Sequence, residues 1–230
     1  MGTKKPSEIA EAAVESGVAK AHLRWDKVLI GAFLAGAYIA FGGLVAISVS
    51  SGLDPATWGT LPTLFMGAAF TLGLILPGGA DRRGRPRRRR TRDQRTMIYE
   101  KLASIASSKG LHENAWQIFL RGIGCNWLVC LGVWIALAAD SVGSKVLGMF
   151  FPIMAFVAMG FDHVVANMFF LPAAIFAGVP GLDWGEVLHN WVFAFLGNLV
   201  GAVVFVSTSY WYLYLRPDHA HEPQPAQRGA

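Results

Sequence analysis

A histidine with two polar neighbours lies inside a long apolar segment of this sequence. His163 follows Asp162 directly, and Asn167 comes one helical turn later, all within the apolar run 146–178. Ionisable side chains at the centre of a bilayer cost about 2.5–3.5 kcal/mol each on insertion scales, so they are rare there and usually functional. A histidine can donate a hydrogen bond or a proton near neutral pH. The cluster therefore predicts hydrogen-bond or proton chemistry at membrane depth.

The elements that position this cluster are apolar helices. The chain has 230 residues, of which 53% are hydrophobic and 15% are charged, and a soluble domain carries about 25% charged residues. Four apolar runs are long enough to span a bilayer: 28–50, 116–139, 146–178 and 188–215. A fifth, 60–76, is marginal, because its residues reach only about 25 Å as a helix and the hydrocarbon core is about 30 Å thick. The composition predicts an all-α, polytopic membrane helix bundle with five apolar segments.

The run 146–178 is too long for one simple helix. Pro152, Gly160, Pro172 and Gly178 interrupt it, and the His163 cluster lies near its middle. Irregular backbone at membrane depth is tolerated only where protein buries it or where it lines a cavity. We therefore predict two half-helices that meet around 160–163, within a membrane bundle over 116–215.

The N-terminal region 1–27 is predicted to be a cytoplasmic amphipathic helix over 7–24, with Ser7 as its N-cap. Basic residues precede the first span, which places this end in the cytoplasm by the positive-inside rule. The first span begins near Val28, too late and too long for a cleaved signal peptide. The segment 28–76 would hold the first span and a truncated second one, and the tail 216–230 is expected to be disordered.

The segment 77–115 is an anomaly, a basic and atypical linker. Nine of the 20 Lys and Arg residues lie between Arg82 and Arg95, and such a run cannot lie in the bilayer. A solvated loop is the favoured interpretation. Nucleic-acid or anionic-lipid binding stays open on charge alone, but no nucleic-acid-binding fold accompanies the run, and we expect no nucleic-acid partner. A short amphipathic stretch over 97–107 is expected to follow.

Redox, metal and enzyme chemistry find little support in the sequence. Cys125 and Cys130 lie in one apolar run without a His or acidic partner nearby, so buried free thiols are expected and no cofactor or metal is predicted. No nucleophile–base pair or phosphate loop is present either, so we do not expect an enzyme.

Four segments together resemble the formate/nitrite transporter family. They are 31–39 in the first span, 121–131, 160–170 around His163, and 196–201. The family more often has Glu than Asp at position 162. The resemblance covers most of 1–76 and 116–215, and the second and third segments are long and specific.

The resemblance implies an aquaporin-like bundle of six helices per protomer and a homopentamer in a bacterial-type inner membrane. Each protomer would have its own pore for small monovalent anions such as formate, nitrite or hydrosulfide. The family's pore positions correspond here to His163, Asn167, Phe156 and Leu74, of which the last two are apolar constrictions. Asn126 and Asn198 match polar residues that hold the broken helices.

The physics of such a site agrees with the resemblance. A half-helix N-terminus offers free N–H groups to an anion that loses its hydration. His163 can donate a hydrogen bond, or a proton that turns a weak-acid anion into a neutral permeant, and proton coupling is our hypothesis. Asp162 is expected to tether the break by accepting backbone N–H groups. Without the resemblance, a histidine satisfied by its neighbours is an equal alternative.

The chain departs from the family after Ile75. Gly79-Ala80-Asp81 echoes the start of the family's second-helix break, but Arg82-Arg83-Gly84 stands where Leu-Phe-Thr belongs, and no third helix follows. The positive-inside rule then orients the two halves of the chain oppositely. Since an Arg-rich patch is also what GC-rich DNA encodes out of frame, we hypothesise a frameshift or deletion between 77 and 96.

Two functions from different classes follow. The first is an anion channel or transporter, with protons and the lipid bilayer as further partners. The alternative is a non-conducting, truncated membrane protein or an accessory subunit of the same family. A neutral-solute pore lacks support, because paired Asn-Pro-Ala turns are missing.

Overall fold

The protein folds into a bundle of helices. The structure is a computed structural model that describes residues 4–75 and 92–217, with the side chains of 73–75 and 92 left out. The α-helices are α1 Pro6–Ala21, α2 Trp25–Ser50, α3 Pro55–Trp58, α4 Leu61–Ile75, α5 Arg92–Ser107, α6 Ala115–Ala138, α7 Val142–Ala158, α8 Val164–Phe176, α9 Trp184–Ala202 and α10 Ser209–Tyr214. Two π-helical segments, Ser108–His112 and Val203–Thr208, join α5 to α6 and α9 to α10.

Among the residues that the structure describes, three helical stretches are long and apolar enough to cross a membrane: Trp25–Ser50, Ala115–Ala138 and Trp184–Tyr214. Three shorter apolar helices accompany them: Leu61–Leu72, Val142–Ala158 and Val164–Phe176. The predicted run 146–178 is therefore two helices, α7 and α8, separated by residues 159–163. The sequence predicts two half-helices that meet around 160–163; in the structure α7 ends at Ala158 and α8 begins at Val164.

The N-terminal helix α1 begins one residue earlier than predicted. Lys5 is the N-cap and Pro6 the first helical residue, and the Glu8 carboxylate accepts the Lys5 backbone N–H at 2.8 Å. The prediction of Ser7 as N-cap is wrong, because the fixed φ of proline suits the first position inside a helix. Helix α1 packs on α6 and α10, and Lys4 Nζ donates to the Leu137 carbonyl at 3.0 Å.

Helix α5 lies at the opposite end of the bundle from α1. The Tyr99 hydroxyl is 3.5 Å from the Gly178 carbonyl oxygen, and Met97 lies beside the turn that follows α2. The predicted amphipathic stretch 97–107 is helical, as part of α5. The arginine run 82–90 lies outside the described residues.

The tightest helix pair is α6 with α9. A Cβ atom added at Gly197 or Gly201 would overlap the carbonyl oxygens of Phe119 and Ile123, respectively. Glycine lets two helix backbones approach this closely in a membrane, where packing rather than water expulsion holds helices together. This pair is the rigid frame on which the break between α7 and α8 is mounted.

Candidate functional site

The break between α7 and α8 ends one helix and begins the next within five residues. Gly160 has φ of +69°, a left-handed conformation that favours glycine. The Phe161 N–H bonds the Phe156 carbonyl and the Gly160 N–H bonds the Val157 carbonyl, both at 3.0 Å. These two bonds form a Schellman motif, which closes the C-terminus of α7. The chain is then free to restart as α8 with His163 as the N-cap.

Asn198 of α9 fastens the break to the α6–α9 frame. Its Oδ1 accepts the Val164 N–H at 3.0 Å, and its Nδ2 donates to the carbonyls of Asp162 at 2.7 Å and Gly122 at 3.0 Å. Asn126 Nδ2 donates to the Asn198 carbonyl at 2.8 Å. Asn198 therefore bonds to the break directly, and Asn126 stabilises the position of Asn198.

Lys109 is a functional residue that the sequence interpretation missed. Its buried Nζ donates to the Gly160 carbonyl at 3.1 Å, the Phe161 carbonyl at 3.2 Å and the Asp162 Oδ1 atom at 2.9 Å. An ammonium has three donors, so all are used, and a cation at a helix C-terminus is favourable. One signal could have found it: the face of α5 that carries Leu102, Ile105 and Ala106 continues to position 109.

Asp162 is held by side chains. Its Oδ1 accepts from Lys109 Nζ and from Asn167 Nδ2, the latter at 2.8 Å, whereas we had expected backbone N–H donors. The amide of Asn167 also donates to Asn190 Oδ1 at 2.9 Å, and Asn190 Nδ2 donates to the Lys109 carbonyl at 3.0 Å. These four residues form a closed, buried ring. Asn190 was also missed, although an amide inside an apolar span marks it in the sequence.

One ring nitrogen of His163, Nδ1, bonds to the backbone, and the other, Nε2, takes no part in that bond. Its Nδ1 lies 3.2 Å from the backbone nitrogen of Ala166, which donates to it as the cap of α8. In that geometry Nδ1 is an acceptor, so the hydrogen of a neutral ring is on Nε2. A second proton on Nδ1 would cost the cap. The imidazole ring centroid is 5.8 Å from that of Phe156.

A cavity of about 40 Å³ lies at the break, enough for a molecule of a few heavy atoms. Its apolar lining includes Phe70 and Phe156, whose rings meet edge to face at 6.3 Å. Its polar lining comprises Lys109, His163 and Asn167. The structure thus brings together three of the four predicted pore residues. The side chain of Leu74, the fourth, lies outside the described residues, and Phe70, one turn earlier on α4, faces Phe156.

The two cysteines lie on α6 as free thiols. Cys125 is buried and Cys130 is half-buried. Within residues 4–75 and 92–217, no group of three His, Cys, Asp or Glu side chains could hold a metal ion. The polar chemistry of the cavity is therefore that of one ammonium, one imidazole and amides.

A membrane bundle with a broken helix and a buried cation and histidine at the break is the architecture of a membrane channel or transporter. The formate/nitrite transporter family model matches residues 7–77 and 90–212. The chain therefore belongs to the formate/nitrite transporter family. Within the matched range, the model skips 78–89, in the segment where the sequence departs from the family.

Relatives match along nearly their whole length. The uncharacterized transporter YrhG of Bacillus subtilis is 37% identical, covering 96% of this chain and 98% of the relative. The formate channel BtFdhC of Bacillus thuringiensis is 34% identical, covering 93% and 97%. The alignment with YrhG has 264 positions and this chain has 230 residues, so YrhG carries residues that this chain lacks.

Solved structures share the fold. A pentameric formate channel with formate bound superposes with a TM-score of 0.66 at 26% identity, covering 84% of this chain and 100% of that one. An ion channel of the same family superposes with a TM-score of 0.63 at 22% identity, covering 92% and 96%. The bundle is thus the fold of this channel family, and the recognised resemblance is confirmed.

Proposed function

We propose that this protein transports small monovalent anions, of the size of formate or nitrite, across a membrane through the cavity at the α7–α8 break. The observation that carries the proposal is that Lys109 and His163 line one apolar cavity of anion size. A buried ammonium attracts an anion strongly, because the low dielectric of the interior weakens screening. Fixed donors also replace part of the hydration that the anion loses.

The geometry of the cavity gives Lys109 and His163 different roles. Lys109 is fully occupied by the break and Asp162, so it acts on the permeant through its charge. His163 Nε2 is free of the cap and supplies a directed hydrogen bond. When Nδ1 takes up a proton from the solvent at the expense of the cap, Nε2 can pass its own proton to a weak-acid anion and leave a neutral ring. The anion then crosses the Phe70–Phe156 pair as a neutral acid. Proton coupling through His163 is part of the proposal.

The assembly and orientation complete this proposal. The structural neighbour is a pentamer, and we propose a homopentamer with one path per protomer. Lys20, Arg24 and Lys27 adjoin the end where α1 packs, and the positive-inside rule places that end in the cytoplasm. We place the protein in an inner membrane of bacterial type.

Anion flux in proteoliposomes tests the proposal. Formate and nitrite uptake are measured at two pH values for the unaltered protein, His163→Phe and the control His189→Phe, which changes an exposed histidine on α9. Loss of a hydrogen bond to a charged group is worth about 1.5–3 kcal/mol, so His163→Phe is expected to slow flux at least about tenfold. Unchanged, pH-dependent flux in His163→Phe would contradict the assigned role.

A second candidate function is a non-conducting subunit of the same family. It is favoured by the skipped segment 78–89. Absence of flux from a folded, pentameric preparation would select this function. Sequencing the coding DNA over codons 70–120 separates a genuine deletion from a frameshift: the frameshift hypothesis requires an apolar helix in the restored frame.

A further inference from the structure

A second buried carboxyl group lies beside the ring of residues at the break. Glu113, just before the first turn of α6, has a side chain only 5% exposed. Its Oε1 pairs with the Arg121 guanidinium and accepts from the Ser108 hydroxyl at 3.2 Å. Its Oε2 is buried and has no hydrogen-bond partner. A buried oxygen left in this way is destabilising, and more so when it is charged.

Asp162 also has a buried carboxylate oxygen without a hydrogen-bond partner. Its Oδ1 receives Lys109 and Asn167, but its Oδ2 is buried without a partner, and the side chain is fully buried. Adjacent residues bind the two carboxyl groups: the Ser108 hydroxyl donates to Glu113, and Lys109 Nζ donates to Asp162. A side-chain hydrogen bond with Asp162 also raises the pKa of Glu113. Ionised carboxylate oxygens only accept hydrogen bonds. One proton between the two groups would satisfy both orphaned oxygens and remove their mutual repulsion.

We propose that Glu113 and Asp162 share one proton, as an acid pair that sets the net charge beside the cavity. The carboxylic acid on one residue donates to the carboxylate of the other. When the pair loses this proton to water, two carboxylates remain. The charge effect on transport rests on the proposed function, whereas the shared proton itself does not.

The surrounding charges give the sign of the effect. The groups that face the pair are Lys109 on the π-helical segment, Arg121 and the Cys125 thiol on α6, and His163 at the break; Asn190 and Trp191, on α9, are neutral. With the proton present, two cations face one negative charge and the cluster is net positive. Without it the cluster is neutral, so the cavity attracts anions more strongly in the protonated state.

The transition falls in the physiological range. Burial, followed by the hydrogen bond and charge of Asp162, raises the pKa of Glu113 to about 7, against the opposing pull of Lys109 and Arg121. Glu113 is therefore expected to be protonated at about pH 6 and largely deprotonated at about pH 8. The attraction of the cavity for anions is therefore expected to be stronger at about pH 6 than at about pH 8.

Infrared spectroscopy of the purified protein tests the acid pair without any transport. The unaltered protein is expected to show the C=O stretch of a buried, protonated carboxyl group that disappears between about pH 6 and about pH 8. Glu113→Gln should remove this band, because the amide donates to Asp162 permanently. Glu186→Gln, a carboxyl change in the first turn of α9 outside the cavity lining, should keep it. Asp162→Asn should remove the same band from the other side.

Flux measurements then test the consequence. Glu113→Gln is expected to show at about pH 8 the anion flux that the unaltered protein has at about pH 6, with any remaining pH dependence due to His163. A titrating band that survives Glu113→Gln, or the absence of any such band in the unaltered protein, overturns the acid pair. A band that behaves as expected in a protein without flux supports the pair and overturns the proposed function instead.

Discussion

The pair α6–α9 and the helix α2 use glycine in opposite ways. In α6–α9, Gly122 and Gly197 lie with their Cα atoms in the space that a side chain would need, and the two backbones touch. In α2, Gly31 and Gly36 face open space, and Phe33 between them is 75% exposed. Only the C-terminal half of α2, around Gly43, packs closely, on Phe169 and Phe170 of α8.

This difference shows which half of the bundle is complete in the described part of the chain. Small residues stabilise membrane helices only where another backbone approaches them. The site is fastened to α6 and α9, through Asn198, and is therefore independent of the open half of α2. We expect the break and its cavity to remain ordered in the isolated protein, whatever covers α2 in the assembly.

The largest expected effect comes from filling the closed interface. Gly197→Leu places a side chain against the Phe119 carbonyl, which belongs to rigid backbone, so the α6–α9 pair must separate. We expect loss of the folded protein, measured as the monodisperse fraction on size-exclusion chromatography in detergent. The matched control is Gly31→Leu, in the open half of α2, which should keep the folded fraction. Equal losses in both variants would remove the distinction between the two regions.

A smaller effect is expected from removing the link between the frame and the break. Asn198→Ala leaves the Val164 N–H and two carbonyls without their partner, at an expected cost of about 2–4 kcal/mol in unfolding free energy. Asn126→Ala removes a single bond and should cost about 1 kcal/mol. Thermal unfolding in detergent gives the ranking. Equal losses of unfolding free energy in Asn126→Ala and Asn198→Ala would contradict the assignment of Asn198 as the residue that holds the break directly.

The C-terminal half was predictable to a considerable depth. The long apolar run with Gly160 in its middle predicts a broken helix, and His163 and Asn167 stand out because polar groups are expensive in a membrane. The family resemblance added the anchoring roles of Asn126 and Asn198. Each of these residues is recognisable locally, within its own apolar stretch.

The roles of the residues that the sequence analysis missed depend on tertiary contacts. Lys109 follows a polar, basic stretch of sequence, where a lysine is normally solvated, and only the fold brings it to Gly160 and Asp162. Glu113 likewise looks like an ordinary residue ahead of a helix. The open space beside Gly31 could not be predicted either, because closely spaced glycines also occur in α9, where they are tightly packed.

The pH dependence of stability tests whether Glu113 is protonated in the folded protein near neutral pH. Because the pKa of Glu113 is raised in the folded protein from 4.5 to about 7, the folded state binds more protons than the unfolded state in this window. Stability is therefore lost as pH rises from about 5 to about 7, until the folded state has also deprotonated. Glu113→Gln should flatten this decline in Tm, and Glu186→Gln should follow the unaltered protein. Parallel Tm curves for the unaltered protein and Glu113→Gln would show that Glu113 stays ionised in the fold.

The smallest expected effect distinguishes an open helix from one that is covered in the assembly. Gly36→Ala meets no atom within 4 Å in the single chain, and alanine favours a helix over glycine by about 0.8–1 kcal/mol. A slight rise in the Tm of the detergent-solubilised protein is therefore expected if α2 faces lipid there. A fall in Tm, together with a loss of pentamer on size-exclusion chromatography, would place a close helix neighbour against Gly36. Gly17→Ala, in α1 and equally open, is the control for helix propensity alone.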